Sequence, residues 1–191
     1  MHTSILTRIA SRHKARQAAL QKTSFKQKTL LRLLGMGGTF GIMSAYTKQA
    51  KSLNQDQHGK LWADLQRMGY RKITPLRGEW GEGIAEQSVL IPNIKPRDLF
   101  ALGAKYNQEA TIFKAADGIV GMYFEEGKYA VIAVDPVTLK TPLEKEDTQE
   151  LISKDRNWSF QFGFLWGNRV PWDGRSPVTR RDVEKVLQAS I

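Results

Sequence analysis

The segment Thr39-Phe40-Gly41-Ile42-Met43-Ser44-Ala45-Tyr46 decides the fold. It is a short apolar run, preceded by glycines and followed by a polar loop, and it reads as a strand buried on both faces. Downstream, Leu61, Trp62, Leu65 and Met68 recur at helical spacing. Asn54 is expected to cap that helix, with Gln57 completing a capping box, Asp56 suiting the positive end of the dipole and Gly69 ending it.

Working outward, a strand is expected over 71–76, a polar turn over 77–83 and a second strand over 86–91. Pro96 suits the first turn of another helix over 97–106, with Leu99, Phe100 and Leu102 turned inward. A strand over 110–113 follows. The pairs Asp117-Gly118 and Glu126-Gly127 then signal hairpins into strands over 119–124 and 129–134. Strand, helix, strand, strand, helix, strand is the order of a split βαβ unit. The expected fold is therefore α+β: a ferredoxin-like antiparallel sandwich extended by a β-meander.

The stretch 136–157 is polar and reads as irregular. Beyond it, Trp158, Phe160, Phe162, Phe164 and Trp166 occupy every second position, which places five rings on one face of a strand. Exposed together they would make a patch that soluble monomers rarely carry. They are expected to be buried against a helix or a second subunit, so the strand is a candidate homo-oligomer or assembly interface rather than a base-stacking platform. Thr179 can cap a final helix whose buried face is marked by Val183, Val186 and Leu187. The chain thus divides into a basic arm (1–35), an α+β core (36–135) and a C-terminal extension packed on it (136–191).

Charge is distributed unevenly. The net charge is +10, yet the first acid is Asp56. Before it stand Arg8, Arg12, Lys14, Arg16, Lys22, Lys26, Lys28 and Arg32, then Lys48 and Lys51; from Asp56 onward nineteen basic residues face nineteen acidic ones. The eight cations before Gly35 are the candidate nucleic-acid-binding residues, and a helix over 4–21 would line up Arg8, Arg12 and Arg16. The same acid-free, Arg-rich character also fits a mitochondrial transit segment or a plain solvated arm. The glycines of 35–41 superficially suggest a phosphate loop, but they lead into a strand and no Gly-Lys-Ser/Thr follows, so they read as a hinge.

Absence of cysteine excludes disulfides, thiolate nucleophiles and cysteine-ligated zinc. Three histidines leave little for a metal site, and no metal or cofactor is expected. No apolar run is long enough to span a bilayer. A cytoplasmic location is expected, or a mitochondrial one if the arm is a transit segment.

Asn54, Glu86, Ser88 and Gln108 stand at the ends of different expected elements and form the candidate site, where such ends often converge. Glu86 is its acid and hence the candidate general base, with Asn54 and Gln108 orienting a substrate amide, base or phosphate. His58 has no Ser–Asp partners in sequence and is expected at the surface.

The same residues carry a resemblance. Ser44-Ala45-Tyr46-Thr47, Asn54, Trp80 with Glu86 and Ser88, and Asn107-Gln108-Glu109-Ala110 resemble the motifs of an uncharacterised bacterial family, a domain of unknown function, over residues 39–115. Its pattern is a strand ending in Thr-Ala-aromatic-Asn, an Asn opening the next helix, a Trp–Glu–Ser group and Gly-Gln-x-Ala. Thr47 stands here for the family's Asn and Asn107 for its Gly, and the Trp80–Glu86 spacing is stretched. The resemblance implies no activity. The functional expectation is a non-enzymatic, basic-armed domain associating with nucleic acid or a nucleic-acid-containing assembly, which a phage or mobile-element origin would suit. The alternative is an enzyme acting on a nucleotide or nucleic acid through Glu86, Asn54 and Gln108.

Overall fold

The computed structural model describes residues 37–47, 51–79, 86–140, 152–155 and 158–189. The expected N-terminal helix, the eight cations before Gly35 and Trp80 lie outside the described residues. The elements in order are β1 (Phe40–Ser44), α1 (Lys51–Arg67), β2 (Thr74–Glu79), β3 (Glu86–Pro92), α2 (Pro96–Lys105), β4 (Ala110–Lys114), β5 (Val120–Phe124), β6 (Tyr129–Lys140), β7 (Ile152–Asp155), β8 (Trp158–Pro171) and α3 (Arg180–Ala189). Every strand pairing is antiparallel, and the strands close into a barrel in the order β1-β3-β2-β7-β8-β6-β5-β4.

The chain is α+β, as its element order indicates, but the sheet is a ring rather than one layer of a sandwich. Closure comes from the stretch expected to be irregular. β6 runs on to Lys140, and the short strand β7 joins β2 to β8. Pro136 can sit inside β6 because the β6–β8 register shifts between Ala133 and Asp135 and again between Asp135 and Thr138. Such bulges accommodate a residue that has no N–H to give. The division expected at residue 135 falls inside β6, and β8 belongs to the same barrel as β1.

Alternation along the strands makes two cores. Phe40, Ile42, Leu76, Leu90, Ile112, Val120, Met122, Val131, Phe162 and Phe164 fill the barrel interior. Met43, Ala45, Val89, Ile91, Phe113 and Tyr123 point outward to Leu61 and Leu65 of α1 and Leu99, Phe100 and Leu102 of α2. Burial on both faces explains why β1 shows no polar alternation. Gly41 is not part of a hinge: a Cβ there would lie 2.8 Å from side-chain carbons of Ile94 and Leu99, so its lack of a side chain lets α2 close on β1. Gly37 and Gly38 are tied down as well. The Gly37 N–H donates to the Ala116 carbonyl (2.9 Å), and the Gly38 carbonyl accepts from the fully buried Lys114 Nζ (2.5 Å).

Phe162 and Phe164 are buried, as the alternating aromatics predict, but they face the barrel interior and not a helix or a second subunit. Trp166 remains 38% exposed. The side chains of Trp158 and Phe160 lie outside the described residues. Asp64 clasps the two helices, accepting from Lys105 Nζ (2.5 Å) and the Tyr106 hydroxyl (2.6 Å). Thr179 caps α3 in the expected way: its hydroxyl accepts from the Asp182 N–H (3.3 Å), while its own N–H donates to the Asp182 carboxylate (2.9 Å).

Candidate functional site

The four candidate residues are drawn together by the short segment that leaves β1, residues 44–47. Each element places its residue by local rules. Ser44 follows Ile42 by two, so it continues the inward-facing row of β1, opposite Ser88 in the β1–β3 register. Glu86 lies two residues from Ser88 on that same face of β3, at the strand's first position. Gln108 is delivered by the end of α2. There the Gln108 N–H donates to the Gly103 carbonyl (2.9 Å), the Asn107 N–H donates to the Ala104 carbonyl (3.2 Å), and Asn107 adopts a φ of +50°. This is a Schellman ending, whose left-handed position takes Gly or Asn. Asn107 can therefore stand where the resembling family has glycine.

Asn54 does not cap α1, because the helix begins three residues earlier at Lys51. Its side-chain amide instead reaches back to Thr47, accepting from the Thr47 N–H (3.0 Å) and donating to the Thr47 carbonyl (3.0 Å). Gln108 Nε2 donates to the Tyr46 carbonyl (3.0 Å) and to that of Tyr106 (3.1 Å). Asn54 and Gln108 thus hold the backbone of Tyr46 and Thr47. An irregular segment with buried polar groups needs such partners.

Ser44 is the junction. Its hydroxyl donates to the Gln87 carbonyl (2.9 Å) and accepts from the Tyr46 N–H (2.9 Å). It also lies within hydrogen-bonding reach of the Glu86 carboxyl. Partial desolvation pushes the Glu86 pKa up, the Ser44 hydroxyl pulls it down, and the neighbouring Glu109 carboxylate pushes it up again; the net direction is upward.

His58 corrects another expectation. It is half-buried, with its ring edge-on to Tyr46 (6.1 Å between centroids, 88°) and tilted against Trp62 (6.4 Å). Burial lowers its pKa. Among the described residues, His58 Nδ1 and Thr47 Oγ1 are the buried side-chain polar atoms without a hydrogen-bond partner. The available signal was the four-residue spacing from Asn54, which puts both on one helix face. Among the described residues no group of three His, Asp or Glu could hold a metal ion, and no helix is long and apolar enough to cross a membrane.

Residues 47–111 match the family DUF3293, proteins of unknown function. The match takes in Asn54, Glu86, Ser88 and Gln108, and it ends just inside β4. The DUF3293 segment therefore comprises both helices that cover β1 and the β2–β3 hairpin. β5 to β8 and α3 lie beyond it, as does β1 itself on the N-terminal side. No curated protein matches the chain. The DUF3293 description carries no activity, so function rests on the residues.

Proposed function

We propose that this protein associates with nucleic acid through its N-terminal cations, with the α+β barrel as a folded body. Within that body we read β4-β1-β3-β2, with α1 after β1 and α2 after β3, as a ferredoxin-like unit that the remaining strands extend and close. The observation that supports the functional reading is the charge division: ten Lys/Arg and no acid precede Asp56, and the rest of the chain is balanced. Cations concentrated in one acid-free segment repel one another, and a polyanion relieves that repulsion while its counterions are released. The location that goes with this reading is the cytoplasm.

The deciding experiment keeps the chain whole. Arg8, Arg12, Lys14, Arg16, Lys22, Lys26, Lys28 and Arg32 are changed together to Gln, and binding to a fluorescent duplex is followed by anisotropy. The wild-type chain is expected to bind and the neutralised chain to lose at least a hundredfold in affinity at low salt. Equal binding by the two forms would refute the reading.

A second reading is favoured by the convergence on residues 44–47: a hydrolase-type or transferase-type site on a nucleotide or nucleic acid, with Glu86 as the proton-handling group. Glu86→Gln is then expected to abolish turnover. It should also slightly raise stability at neutral pH. The sign follows from the raised pKa. Between the unfolded and folded pKa values of Glu86 the native state binds more protons, so rising pH costs stability through that window. Gln has no charge to desolvate and removes the loss. A large drop in melting temperature would instead mark Glu86 as structural.

A further inference from the structure

The body carries its own cluster of cations, at the end of the barrel where the chain enters it. Tyr70, just after α1, is the centre. Its hydroxyl donates to Asp98 Oδ2 (2.7 Å) and accepts from the Lys95 N–H (3.1 Å), so it pins the segment leading into β2 against the start of α2. Arg71 and Lys72 follow Tyr70 directly, and Lys95 and Arg97 flank Pro96 at the opening of α2; all four are exposed. Arg71, Lys72 and Lys95 form no ion pair among the described residues. Arg97 has a long contact to Asp98 Oδ1 (3.8 Å), with the Arg97 side chain 87% exposed. Asp98 is the acid in contact with this group, and Tyr70 already occupies its other oxygen.

Position makes the cluster informative. The register pairs Phe40 at the start of β1 with Pro92, and Thr74 at the start of β2 with Leu90. Both strands therefore begin at the end of the barrel where β3 stops and α2 opens. The Asn93 N–H donates to the Thr39 carbonyl (2.9 Å), which fixes the root of the N-terminal segment two residues from Lys95. These exposed cations thus stand beside the point where a segment with eight Lys/Arg and no acid in its sequence joins the barrel. Elsewhere on α1, by contrast, Asp56 sits against Lys60 (2.6 Å), and Asp64 against Arg67 and Lys105.

We propose that Arg71, Lys72, Lys95 and Arg97, grouped around Tyr70, form a second contact for the phosphate backbone of a nucleic acid, in addition to the N-terminal cations. It rests on the nucleic-acid reading above and adds where on the body the strand lies. The Tyr70 hydrogen bonds fix the two segments that carry these four residues against each other, so they position the duplex on the body, whereas the N-terminal cations supply charge. Neither contact reads sequence.

The test uses the full chain and a duplex of arbitrary sequence, with affinity measured across a salt series. Arg71, Lys72, Lys95 and Arg97 are changed together to Gln; the control changes Arg181 and Lys185 of α3 to Gln. If all four engage phosphates, the slope of log affinity against log salt is expected to shallow by about three to four, at roughly 0.9 per contact. The control should leave the slope nearly unchanged, and melting temperatures should match, because every substituted side chain is exposed. An unchanged slope in the fourfold variant would overturn the second contact while leaving the N-terminal reading intact. Absence of duplex binding by the wild-type chain would overturn both.

Discussion

Replacing Phe162 with Ala is expected to destabilise the protein by about 3–5 kcal/mol, the usual range for deleting a large buried aromatic ring. Phe162 is fully buried in the barrel interior, with its ring 6.4 Å from that of Phe40 and 5.8 Å from that of Phe164. It sits on β8 and Phe40 on β1, elements that are not neighbours in the ring, so the contact crosses the interior. The strands around such a cavity are held by their ladders and cannot collapse into it, which places the cost toward the upper part of the range. Urea unfolding of the variant should show a lower midpoint with an unchanged slope. A mild effect on stability accompanied by lost oligonucleotide binding would instead identify the ring as a stacking surface.

The position of Phe162 also shows where the sequence was legible. Its alternation with Phe160 and Phe164 was enough to give a strand and a buried face, because period two is a local property. What the face packs against is a property of the whole ring. β1, the two hairpins and α2 were readable for the same local reason: apolar runs, Asp-Gly and Glu-Gly turns, and Pro at the first helical turn. β2 was placed three residues early, since Arg77 and Gly78 read as a turn but extend the strand to pair with β7. β7 itself, Ile152-Ser153-Lys154-Asp155, has hardly any pattern, and its pairing with β2 and β8 supplies what its own side chains do not. Without it, closure could not be foreseen.

The site was half legible. Glu86, Ser88, Asn54 and Gln108 were named as a group from their places at element ends, and hydrogen bonds and register do gather them on residues 44–47. Their roles were not readable. An Asn near a helix start looks like a cap by composition, and only the three-dimensional path of Thr47 reveals that its amide is used on another strand's exit. His58 looked like a surface residue because its burial depends on Tyr46, twelve residues earlier in the chain.

The largest expected effect is on binding, and salt is the variable that reads it. For the full chain, affinity for duplex DNA or RNA should fall about a thousandfold or more between 50 and 200 mM salt if six phosphates are engaged. The estimate needs only six of the eight cations before Gly35 to find a phosphate. Each neutralised phosphate frees its condensed counterion, and the entropy of that release shrinks as the surrounding salt becomes concentrated. A body with equal numbers of acids and bases has no comparable excess to offer, so its share must come from local clusters such as the one around Tyr70. Because backbone phosphates are the same at every step, duplexes of unrelated sequence should give superimposable salt curves. Binding that held its strength at 200 mM salt, or that favoured one sequence by more than about tenfold, would point to recognition by base edges or apolar contact. The charge division of the chain would then have no part in it.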